Sequence, residues 1–362
     1  MMNKYHILIV FIFITLITAY VVKMSMNREY INIGVILINP LPESPEHGLF
    51  KGMNISASGI NSTEGIDGKY IRLIPRVCNG KVELAKEQFR ELAEQSCVII
   101  NGYSHITQAL TPLAEELQVL QLSILATAEK VISSKTPYSF RYWTTASDEL
   151  QGILPIFKDL RVSNLAVIHM DNTYGNSVAN TFRSLLKRYQ ISTQSLPYTK
   201  IDDNLIPSIV NMANADAIYI ASFSSDFIPL IATIRSVFPD KPIIGPSSLA
   251  SPKFLRTETT QGVYFPSPII STNNLRYVRD QKDKDSILTN NYIAKGYETI
   301  NLLSQIIARS QCNPEKMKKI IEKGFVYPGI FGDVINNQGA HNFSYGMYPA
   351  RIENKKIVYQ RR

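Results

Sequence analysis

Residues 164–189, NLAVIHMDNTYGNSVANTFRSLLKRY, read as a strand, a turn and a helix in succession. Leu165, Ala166, Val167, Ile168 and Met170 make a short, almost unbroken apolar run, as a parallel strand buried on both faces requires. The period then changes, and Val178, Phe182, Leu185, Leu186 and Tyr189 draw a single apolar stripe along a helix. Between the two stands Asp171-Asn172-Thr173-Tyr174-Gly175, polar and aromatic, at the carboxyl end of the strand. Open α/β sheets bind their ligands at such ends.

The same alternation runs through most of the chain. Strands are expected at 31–38, 71–77, 98–101 and 122–125, with helices at 48–60, 81–95 and 110–117 between them. From Leu165 a second series begins, with further strands near 192–198, 217–221 and 242–245. Strand-helix alternation implies parallel, doubly wound sheets with right-handed crossovers, and the strands are too many for one compact sheet. The expected architecture is therefore α/β, in two lobes.

At 362 residues and 45% hydrophobic content the chain can bury two ordinary cores. Its formal charge is +8, and Lys355, Lys356, Arg361 and Arg362 crowd the end. No run of bases interleaved with aromatics accompanies them, so they read as a solvated tail and not as a nucleic-acid surface. Residues 5–22, YHILIVFIFITLITAYVV, carry no charged side chain and are long enough to cross a bilayer as a helix. No A-x-A cleavage site follows, and no cysteine stands between positions 19 and 25 to carry a lipid, so residues 1–28 read as a signal segment retained as an anchor, with the rest outside the membrane. Cys78 and Cys97 fall at opposite ends of parallel strands, too far apart to bridge. With Cys312 they are expected to be free thiols.

Enzyme signatures are absent from the sequence. There is no G-x-S-x-G elbow, H-E-x-x-H, P-loop or G-x-G-x-x-G, and the five histidines lack metal-ligand spacing. Only Ser104-His105 sets a hydroxyl beside a base, and neighbours near a strand end diverge. His169, inside an apolar strand, reads as a satisfied core histidine. No catalytic residue, metal or cofactor is expected.

Several short motifs, in their order, resemble the branched-chain amino-acid (Leu/Ile/Val) binding proteins of ABC importers, which have the type I periplasmic binding fold. They are Ile31-Asn32-Ile33-Gly34-Val35 with Pro40-Leu41, His47-Gly48-Leu49-Phe50-Lys51-Gly52, Gly65-Ile66-Asp67-Gly68-Lys69, Phe140-Arg141 followed by Ser147-Asp148, Tyr174-Gly175, Gly245-Pro246 and Gly262-Val263-Tyr264. The resemblance implies two lobes joined by three crossings of the chain, which close on a ligand between them. Residues 29–143 with 269–327 would form the first lobe and 144–268 with 328–362 the second.

It also implies a site. Ser104 would bind the ligand carboxylate, Ala126 and Thr127 would offer a carbonyl and a hydroxyl to its α-carbon groups, and Tyr174 would close over it from the second lobe. Phe223 and His47 fall where further cleft aromatics are usual. Where amino-acid-binding relatives place an acid after Gly-Pro, this chain has Ser247, which leaves a ligand ammonium without its usual anion. The second cysteine of an early family disulfide is likewise replaced, by Tyr103. The implied partner is a transporter permease. The alternative is a tethered sensor that signals to another protein; a repressor of this fold would need a DNA-binding module where the apolar run stands.

Overall fold

The computed structural model describes residues 29–223, 225–271 and 281–360. The expected anchor at 5–22 lies outside them, and among the described residues no helix is long and apolar enough to cross a membrane. Five parallel strands form the first sheet: β1 (Tyr30–Leu37), β2 (Tyr70–Val77), β3 (Val98–Asn101), β4 (Leu120–Ser123) and β5 (Ser139–Arg141), in the order β2-β1-β3-β4-β5. The second sheet contains β6 (Asn164–Met170), β7 (Ser192–Tyr198), β8 (Ala217–Ala221), β9 (Ile243–Ile244) and β10 (Tyr264–Ser267), again parallel. A short antiparallel hairpin, β11 (Phe325–Gly329) and β12 (Gly332–Asn336), precedes β13 (Tyr348–Glu353) and β14 (Lys356–Tyr359), which extend the second sheet, β13 antiparallel to β10 and β14 antiparallel to β13.

In both sheets the strand order reverses next to the first strand of its series, at β1/β3 and at β6/β8. Such switch points leave a crevice at the carboxyl ends of the strands. The strand-turn-helix at 164–189 forms as its periodicity dictates: all of β6 but its ends is buried, and the helix Thr173–Leu186 buries Val178, Phe182 and Leu186. His169 is buried, with Nε2 2.8 Å from Ser195 Oγ and Nδ1 3.1 Å from the Met170 carbonyl oxygen.

The helices Pro45–Asn61 and Asn291–Ser310 cover one face of the first sheet and pack closely on each other. Two glycines permit this approach: a Cβ on Gly52 would lie 2.0 Å from the Ile293 carbonyl oxygen, and one on Gly296 would lie 1.9 Å from that of Leu49.

Two expectations are corrected. Cys97 and Cys312 are joined as a disulfide, their Cα atoms 5.3 Å apart across 215 residues of sequence, while Cys78 is free and buried. The pairing depends on the long helix returning its end to the start of β3, a tertiary fact invisible to local spacing. Such a bond persists in oxidising surroundings. Second, residues from 328 onward were expected to begin the second lobe, yet Val334 and Phe343 are buried in the core of the first. The hairpin β11–β12 packs there because its apolar side faces the long helix, and the chain joins the second sheet only at β13.

Candidate functional site

The strand ends of both sheets face a cleft with about 530 Å³ of free space, part of it open to solvent. Its first-lobe wall begins where β3 ends. Tyr103 sits at φ 62°, ψ 140°, a conformation that costs a tyrosine on the order of 1–3 kcal/mol and turns the chain sharply into the helix Ser104–Leu117. Ser104 Oγ accepts the Ala128 N–H at 3.1 Å, which leaves the hydroxyl proton free to be donated into the cleft. The helix's first-turn amides have no intrahelical acceptors, and they give this wall a positive character.

Beyond β4 the segment Ala126–Glu129 is held from behind by one buried side chain. Arg141 donates to the carbonyls of Ala126 (2.9 Å), Ala128 (2.8 Å) and Glu129 (3.1 Å), and through Nε to Asn342 Oδ1 (2.7 Å). Thr127 is thereby set on the cleft wall, its own carbonyl accepting the Ala146 N–H at 2.9 Å. The Ala126 carbonyl, expected to meet the ligand, instead accepts from Arg141, and Ala126 does not line the cleft.

From the second lobe, Tyr174 rises from the first turn of its helix, which Asn172 caps by accepting the Gly175 N–H at 2.9 Å. Its ring stacks on Phe223, centroids 6.1 Å apart, and Phe223 meets Tyr103 of the first lobe edge to face at 5.8 Å. Trp143 and Tyr292, stacked at 6.2 Å, also line the cleft. The lobes touch elsewhere: the Glu129 N–H donates to Ser177 Oγ at 3.0 Å, and Arg256 pairs with Glu43. Thus Ser104, Thr127, Tyr174, Phe223 and Ser247 come together, whereas His47 is exposed and lines no part of the cleft. At that helix start it is Glu46 that turns inward, accepting the Ile38 and Asn39 N–H groups at 2.6 and 2.7 Å.

The cleft does contain an acid. Glu149, 1% exposed, enters from the helix Ala146–Asp159. It accepts Ser247 Oγ at 2.5 Å, with Thr144 Oγ1 at 3.3 Å and Tyr219 Oη at 3.4 Å. Burial raises its pKa to about 7 against the pull of those hydrogen bonds. The expectation that Ser247 leaves the cleft without a carboxylate is therefore overturned, because Ser247 presents its hydroxyl to one. A signal for it exists in the sequence: Thr145 and Asp148 form a capping box, and Glu149 then falls in the stripe Ala146, Leu150, Ile153, Ile156 that such a helix buries. Among the described residues no three His, Cys, Asp or Glu side chains gather to hold a metal ion.

Residues 43–356 match the model of the family described as periplasmic binding protein. An amino acid binding protein of Pseudomonas aeruginosa is 22% identical over 196 residues, 51% of this chain and 52% of that protein. The chain thus matches about half the length of this curated relative. Among solved structures, a leucine binding protein, LivK, from Thermotoga maritima superposes with a TM-score of 0.79 at 17% identity, covering 91% of this chain and 98% of that one. The branched-chain amino acid transporter substrate binding protein LivJ from Streptococcus pneumoniae, in complex with isoleucine, gives 0.74 at 18% identity over 92% and 100%. A fatty acid ABC transporter substrate-binding protein from Thermomonospora curvata gives 0.77 at 15% over 92% of each chain.

Proposed function

This chain belongs to the periplasmic binding protein family, and we propose that it captures an α-amino acid between its lobes as the substrate-binding component of an ABC importer. The observation that carries the amino-acid reading is the pairing of opposite chemistries across one cleft. Ser104, Thr127 and the amides that open the Ser104 helix offer donors suited to a carboxylate, and no basic side chain is needed. Opposite them Glu149 offers the anion that a buried ammonium requires. Tyr174 and Phe223 supply apolar cover for the α-carbon.

Thr127 tests the assignment with little disturbance, since valine keeps its shape and removes only the hydroxyl. Losing one hydrogen bond to a charged group costs about 1.5–3 kcal/mol, so Thr127→Val is expected to weaken amino-acid binding by about ten- to a hundredfold. Trp143, the single tryptophan of the sequence, lines the cleft and reports the titration by its fluorescence. Unchanged affinity would remove this wall from the reading.

The run at 5–22 favours a protein that stays tethered outside the membrane, to serve a permease or, as a sensor, to contact a signalling partner. N-terminal sequencing of the mature protein should find this run intact; a start between residues 20 and 28 would refute the tether.

A further inference from the structure

Beside the cleft lies a smaller pocket with about 310 Å³ of free space, much of it open to solvent and with enclosed room for only about one water, and Trp143, Ser247 and Tyr292 line both. It is built where the crossings of the chain converge, with Pro268 just after β10 and Tyr345 just before β13 on its walls. Lys295, 1% exposed, also lines it. Its amine has no hydrogen-bond partner. The nearest carboxylate oxygen, on Glu298, is 3.9 Å away, and Glu298 already accepts from the Tyr142 hydroxyl and the Ile330 N–H.

What the amine does touch is aromatic: it stands 3.1 Å from the centre of the Tyr142 ring and 3.7 Å from that of Tyr345. Ring faces attract a cation but cannot take its three protons in hydrogen bonds. Burial accordingly pushes the pKa of Lys295 far below its ordinary value, a penalty that an arriving anion would offset. The Tyr292 hydroxyl, on the wall between the two cavities, is buried and unpartnered as well. Two donors without acceptors thus line one pocket, a polarity opposite to that of the Glu149 corner.

We infer that the small cavity receives the far end of the ligand and that this end carries an acceptor oxygen, so that the preferred amino acid has a side-chain carboxylate or carboxamide. The inference rests on the amino-acid reading above and adds a side-chain chemistry to it. Water alone could occupy such a space, but it would confer no selectivity between ligands.

Titration of the whole protein with L-glutamate, L-glutamine and L-leucine, followed by Trp143 fluorescence, tests it. One of the first two should bind at least about tenfold more tightly than leucine, and Lys295→Met should reduce that affinity by about ten- to a hundredfold while changing leucine binding little. Methionine fills the same space, and replacing a buried polar head group by an apolar one of similar volume is commonly tolerated. Preference for glutamate identifies the acceptor as a carboxylate and preference for glutamine as an amide, and either supports the inference. Leucine bound as tightly as both, or a variant that weakens all three alike, would overturn it while leaving the amino-acid reading in place. Failure of all three to bind the unaltered protein would overturn the inference, and failure of every other L-amino acid as well would overturn the amino-acid reading. The comparison in the unaltered protein needs no variant to fold.

Discussion

Replacing Glu149 by glutamine is expected to weaken amino-acid binding by about thirtyfold or more, because removing one member of a buried charged pair costs about 2–5 kcal/mol. Glutamine keeps the volume and can still accept the Ser247 hydroxyl, so the loss falls on the charge alone. The same residue should set the pH dependence. In the empty protein Glu149 holds its proton to about pH 7, and a ligand ammonium favours the carboxylate, so binding releases that proton. Affinity should therefore rise with pH, by at most about tenfold per unit, and level off above 7; Glu149→Gln should flatten the profile. Stability of the empty protein responds in the opposite sense. The raised pKa means this group's contribution is complete below the ordinary carboxyl range and is lost as pH rises through about 7. Calorimetry of both proteins between pH 5 and 9 provides the check, and an unaltered pH profile in the variant would assign the titration elsewhere.

A second large effect is expected at Arg141. Its guanidinium is fully buried and holds the single segment Ala126–Glu129 through the carbonyls of Ala126, Ala128 and Glu129. Arg141→Leu would leave those oxygens without donors inside the protein, at about 1–3 kcal/mol each, so a loss of about 4 kcal/mol or more in unfolding free energy is expected. Arg141→Lys should rescue little, since a single ammonium cannot reproduce the planar fork. Because the same loop carries Thr127, amino-acid affinity should fall in whatever variant still folds. Denaturant unfolding measures the first effect; a midpoint like that of the unaltered protein would show that the carbonyls find other donors.

Periodicity carried much of the fold, and the site only where it lies at strand ends. The run Leu165–Met170 and the stripe from Val178 to Leu186 became strand and helix where read, because each is a local pattern. The helix expected at 110–117 starts instead at Ser104: Gly102-Tyr103-Ser104-His105 looks like loop, and what makes it a helix start is the unusual backbone of Tyr103. The strand expected at 122–125 is Leu120–Ser123, since the apolar run continues past the sheet into the loop that carries Thr127. The resemblance named Ser104, Thr127 and Tyr174, each a few residues beyond a buried strand, and the fold brings the three to one cleft. Glu149 and Ser247 are 98 positions apart and meet only when a helix start is brought against the end of β9. The Cys97–Cys312 bond and the setting of Lys295 likewise depend on where the helix Asn291–Ser310 comes to rest.

The central claim is that this cleft recognises an amino acid by both of its charged ends. Calorimetric titration of the unaltered protein at pH 8 with L-amino acids, each beside the carboxylate that differs only in lacking the amino group, tests it most directly. The account predicts that the amino acid binds at least about thirtyfold more tightly than its counterpart. Equal affinity for the two would contradict it, because Glu149 would then have no part in recognising the ligand.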